Sequence, residues 1–85
     1  MKFIDEYGTT YAVRKATTGD KKGKYLIYDC LKGKKRWKPV PARRLMDGME
    51  GTSVFLWSAD KEKMELTLRG IAKKKEWQEV TEDEN

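Results

Sequence analysis

Residues 58–72 read Ser58-Ala59-Asp60-Lys61-Glu62-Lys63-Met64-Glu65-Leu66-Thr67-Leu68-Arg69-Gly70-Ile71-Ala72. Two periods compete in this stretch. Met64, Leu66 and Leu68 alternate with Glu65, Thr67 and Arg69, the period of two expected where a strand buries one face. Met64, Leu68, Ile71 and Ala72 also recur at the spacing of one helix face. Ser58 would then be the N-cap, and Lys and Glu are good helix formers. Leu66 falls off that helical stripe and Gly70 interrupts it, so the strand is the preferred reading, with Ala59 to Glu62 as a hairpin loop.

Upstream, strand signals dominate. Thr9 to Val13 is rich in β-branched and aromatic residues, which suit a pleated surface. The polar segment Thr17 to Gly23 carries two glycines and reads as a loop. Lys24 to Leu31 is apolar on both faces, as in a central strand. Lys32-Gly33 is a hairpin signal, after which Lys34 to Val40 resumes the strand. Pro39 and Pro41 end that run or hold it at an edge, because proline cannot donate to a ladder. Ala42 to Met46 can form one helical turn after Pro41. Thr52 to Trp57 reads as a buried strand, and Glu76 to Val80 as a last one. The expected core is Val13, Leu26, Ile27, Val54, Leu56, Leu66 and Leu68, with Trp57.

These signals predict a mostly β fold: a small single-domain curled sheet or barrel, SH3-like or OB-like, with a short helical turn. Residues 25–45 resemble an SH3-like barrel that ends in such a turn. The alternative is α+β with one helix around 59–72. The domain is expected over 1–80, followed by an acidic frayed tail at 81–85.

The chain has 85 residues, one cysteine and no histidine. A chain of this size holds one small core. With one cysteine it cannot form an intramolecular disulfide, which fits a reducing, cytoplasmic compartment. Cys30 itself reads as a buried thiol. The N-terminus lacks a signal-peptide apolar region, and no apolar run is long enough for a membrane span.

Without histidine, the Ser-His and Cys-His pairs of nucleophilic catalysis are absent, as are the usual zinc sets. The glycines are scattered rather than gathered in a phosphate loop. No enzyme activity, metal, cofactor or small-molecule substrate is therefore expected.

The charge distribution points to binding. Residues 14–44 hold twelve basic residues against two acids, about +10 within a chain of net +5. Residues 45–85 are acidic on balance. Clustered charge of one sign draws polyanions. The candidate contacts are Arg14, Lys24, Lys34, Lys35, Arg36, Trp37, Lys38, Arg43 and Arg44. In a strand, Lys34, Arg36 and Lys38 would share one face, and Lys35 and Trp37 the other. Lysine and arginine neutralise phosphates, and an exposed aromatic stacks on bases. Arg43-Arg44 offer planar forks that lysine cannot match. Trp57 is expected in the core, and Trp77 at one end of it.

No recognition helix is evident, so the expected function is nucleic-acid binding, to DNA or RNA, with little sequence specificity. The alternative is a protein-interaction module, an inhibitor or adaptor whose basic face meets an acidic protein surface. A third option is a non-catalytic appendage domain of a larger complex.

Overall fold

The computed structural model describes residues 1–80. The acidic tail expected at 81–85 lies outside the described residues. The strands are β1 (Lys2–Ile4), β2 (Thr10–Lys15), β3 (Tyr25–Cys30), β4 (Lys38–Pro39), β5 (Trp57–Ser58) and β6 (Gln78–Val80). A 3-10 turn spans Ala42–Arg44, and one helix, α1, spans Lys61–Lys75. The sheet is antiparallel, in the order β4-β3-β2-β1-β6, with β5 also on β3. It is mostly a sheet fold with a short helical turn, as expected, but the sheet is not closed into a barrel.

The helical period wins at 58–72. Helix α1 buries Met64, Leu68, Ile71 and Ala72 and leaves Leu66 69% exposed. The α+β alternative therefore describes this segment, and the strand at Met64 to Leu68 is corrected. The cap is Asp60 rather than Ser58: the Glu62 N–H donates to Asp60 Oδ1 at 2.9 Å, while Ser58 Oγ accepts from the Asp60 N–H at 3.0 Å. Lys73, Lys74 and Lys75 in the last turn complement the helix dipole. Gly70 is exposed, and its cost of about 1 kcal/mol relative to alanine is outweighed by four buried apolar side chains.

The reason for this outcome lies in the sheet. Residues directly opposite each other on paired strands share a face. The pairings Phe3–Tyr11, Tyr11–Asp29 and Val13–Ile27 therefore put Phe3, Tyr11, Val13 and Ile27 on one face. Such an apolar face needs a second layer, and α1 supplies it. Val40 and Leu45 join Phe3, Tyr11, Ile27 and the helical stripe in a single core cluster.

The expected core is met at Leu26, Ile27 and Leu68, and in part at Val13 and Leu56. Val54, Trp57 and Leu66 are exposed instead. Two expected strands are also shorter than their sequences suggest. Only Lys38–Pro39 forms a strand out of Lys34 to Val40, and of Thr52 to Trp57 only Trp57 does, together with Ser58 beyond it. Both compete for the same edge of β3. Strand β4 takes Tyr28 and Asp29, and β5 takes Tyr25 and Leu26, so neither can extend along it.

Trp77 closes one end of the core, as expected. Its ring stacks on Tyr11 with centroids 3.9 Å apart and planes 8° from parallel. The Tyr11 hydroxyl donates to Asp5 Oδ2 at 2.9 Å, and Asp5 Oδ1 accepts from the Tyr7 and Thr9 backbone N–H groups. Asp5 thus ties the β1–β2 turn to the core. Burial, reinforced by the hydrogen bond to Asp5, pushes the Tyr11 phenol well above its ordinary value. The folded state therefore favours the neutral phenol. That contribution is complete below the unfolded value near 10 and is lost progressively as pH rises from there through the raised folded value. At neutral pH, Tyr11→Phe should cost about 1 kcal/mol, the net worth of one hydrogen bond. In denaturant titrations the gap to wild type should narrow above about pH 10. A gap that widens there contradicts the buried, neutral phenol.

Candidate nucleic-acid interface

The sheet face opposite α1 is built from the even-numbered residues of β1 to β3. Cross-strand pairing aligns Lys2, Ala12, Tyr28 and Pro39 in one row, and Arg14, Leu26 and Trp57 in the next. This alternation exists because β2 and β3 each carry core residues at odd positions, which turns the even ones away from the helix.

Trp37 lies at the margin of this face, where it lines a cavity with Lys2, Arg14 and, from α1, Lys61 and Glu65. The Arg14 guanidinium is 5.2 Å from its ring centroid and Lys2 Nζ is 5.9 Å. Trp37 is half-buried but outside the core cluster. Lys21 and Lys24 sit over Trp57 at 5.4 and 5.1 Å, and Trp57 is 47% exposed. A groove of about 420 Å³ beside Trp37 is lined by Lys21, Leu26, Tyr28, Arg36 and Phe55, and by one acid, Asp20.

Of the sequence-derived candidates, Arg14, Lys24, Arg36 and Trp37 meet here. A second group, Lys34, Lys38 and Arg44, lines a separate groove at the β4 edge with Asp29 and Leu31. Arg36 lines both grooves. The alternation expected along Lys34 to Lys38 is not present, because residues 34–37 form no strand. Lys38 pairs with Asp29 and so belongs to the helix-covered face. Lys35 is exposed and lines neither groove. Arg43 Nη1 donates to the Thr52 carbonyl at 3.4 Å.

Arg44 has a structural partner. Its Nη2 is 3.3 Å from Asp29 Oδ2, and the Asp29 side chain is only 7% exposed. A buried carboxylate left without its partner is costly, so Arg44→Ala should destabilise the fold by about 1–3 kcal/mol. Chemical denaturation would measure this, and adding Asp29→Asn should recover part of the loss. No recovery in the double variant would mean that Arg44 acts through something other than Asp29.

Sequence reasoning missed Lys2, Lys21 and Trp57. Trp57 was hidden by its apolar neighbours, which suggested a buried strand. Lys21 was assigned to a loop, and nothing local placed that loop beside residue 57. Cys30 is half-buried rather than buried, and its Sγ–H donates to the Lys34 carbonyl at 3.2 Å. Among the described residues no three metal-ligating side chains gather, and no helix is long and apolar enough to cross a membrane.

Comparison with known proteins supplies no analogy: no family model, no curated protein and no solved structure matches the chain.

Proposed function

We propose that this protein is a non-catalytic module that binds nucleic acid through the sheet face opposite α1, with little sequence specificity. The observation that carries the reading is the gathering of Arg14 and Lys2 around Trp37, and of Lys21 and Lys24 around Trp57, on one face. Cations beside aromatic rings match a ligand that alternates phosphates with flat bases. Neither indole belongs to the core cluster. Helix α1 packs against the other face, so the open face meets its ligand without a helix to enter a groove of DNA, and the contacts fall mainly on the backbone.

The test is fluorescence anisotropy with short oligonucleotides of unrelated sequence, over about 50 to 200 mM salt. The expected result is similar affinity for all sequences and a steep loss with salt. Failure to bind any oligonucleotide at low salt overturns the reading.

A second reading has its own observation. Leu66 and Met46 are exposed and line a groove of about 430 Å³ between α1 and residues 45–47, with Lys74 and Lys75 beside them. Exposed apolar side chains beside lysines suit an acidic protein partner with an apolar anchor. This reading takes precedence if no oligonucleotide binds.

A further inference from the structure

We infer that the ligand of the open sheet face is a single strand, held by base stacking on Trp57 with Lys21 and Lys24 on the flanking phosphates. This rests on the nucleic-acid reading above and names its ligand class.

The argument begins with how Trp57 is held. Trp57 lies on the two-residue strand β5, and its pairing with Leu26 places it on the same face as Arg14. An indole this exposed, at a position set by backbone pairing, adds little to the core. What surrounds it is ordered. The β2–β3 loop is closed by hydrogen bonds from Gly23 N–H to Ala16 O at 2.9 Å and from Lys24 N–H to Lys21 O at 2.8 Å. Gly23, at φ +85°, takes the left-handed conformation that this turn needs. The turn thereby delivers Lys21 and Lys24 together to the ring of Trp57.

A duplex hides the faces of its bases inside the stack. Only an unpaired base can lie flat on an indole, and every base has such a face, so stacking favours single strands without choosing a sequence. Lysine heads resting on the ring are already placed to move onto phosphates when a base takes over the indole. Trp37 provides the second platform. Trp57 and Arg14, which contacts Trp37, lie two strands apart, about 10 Å at the usual strand spacing. The groove at Trp37 is lined by Leu26, Tyr28 and Arg36, and Leu26 is the strand partner of Trp57. A strand laid from Trp57 across Leu26 into this groove would meet an indole and cations on both sides.

The experiment compares a short oligothymidylate with its duplex with oligoadenylate, by anisotropy and by tryptophan fluorescence. Wild type should bind the single strand at least about tenfold more tightly, since the stacked contact is closed to the duplex. Trp57→Ala should weaken single-strand binding about 5- to 150-fold and leave duplex binding nearly unchanged. Trp57→Phe, which keeps a stacking face, should recover much of that loss while removing the Trp57 share of the fluorescence quenching and leaving that of Trp37. Trp77 is half-buried and stacked on Tyr11 at the end of the core, so it should not respond. Lys21→Ala with Lys24→Ala should flatten the single-strand salt dependence by about 1.4 units, two phosphates at about 0.7 each.

The inference is overturned if the duplex binds as tightly as the single strand, or if Trp57→Ala binds like wild type. In either case the broader nucleic-acid reading stands. If neither oligonucleotide binds, both readings fall together.

Discussion

Leu68→Ala should lower the melting temperature by about 10 °C or more, whereas Leu66→Ala should leave it within about 4 °C. Leu68 is fully buried between α1 and the sheet, at 0% exposure, and belongs to the core cluster. Truncating a buried leucine costs roughly 2–5 kcal/mol, from lost transfer energy and the cavity left behind. That is a large fraction of the stability of a small domain. Leu66 projects to solvent, and a surface substitution normally changes stability by no more than about 0.5 kcal/mol. Alanine also keeps the helix propensity at both sites, so the contrast reports burial alone. The pair separates the two readings of this segment. A strand would place Leu66 and Leu68 on one face and make the two substitutions comparable. Thermal unfolding followed by circular dichroism decides, and equal losses would contradict a helix over Lys61–Lys75.

The second large effect is on binding. Arg14→Ala with Arg36→Ala should flatten the slope of log affinity against log salt by nearly two units on duplex DNA, at about 0.9 per phosphate. Affinity should fall in parallel for all sequences, because contacts to the backbone do not read bases. Arg14 lies against Trp37, and Arg36 lines the groove on the open face. Both are exposed, so the fold should survive their loss. Lys35→Ala with Arg43→Ala removes the same charge from residues that do not line that groove. Its effect on the slope should be clearly smaller. Equal effects from the two pairs would mean that binding follows net charge and not the sheet face.

Much of the sheet was legible because its signals are local. The β-branched and aromatic run before Arg14 became β2, and the polar segment with Gly19 and Gly23 became the loop after it. Residues Tyr25 to Cys30 became a central strand with side chains packed on both sides. The 3-10 turn followed Pro41 as expected. The candidate interface was legible in part. Arg14, Lys24, Arg36 and Trp37 were chosen for charge and aromaticity, and they share the open face. Lys34, Lys38 and Arg44 were chosen on the same grounds, and they stand at the β4 edge, where Arg44 neutralises Asp29. Composition carries no information about which side of a sheet a charge will occupy.

Strands β2 and β3, the basic middle and the lack of imidazole chemistry are readable from the residues alone, since propensity, charge and residue identity are properties of each segment; β1, at Lys2–Ile4, carried no such signal. Packing settles the choice between strand and helix at residues 58–72, because both periods are written there and the outcome depends on what must be covered. Phe3, Tyr11, Val13 and Ile27 present one apolar face, and a helix offering Met64, Leu68, Ile71 and Ala72 can cover it. The outer edge of β3 is already shared by β4 and β5, so no further strand can be added there. The same competition keeps β5 short and leaves the Trp57 ring in solvent beside Lys21 and Lys24.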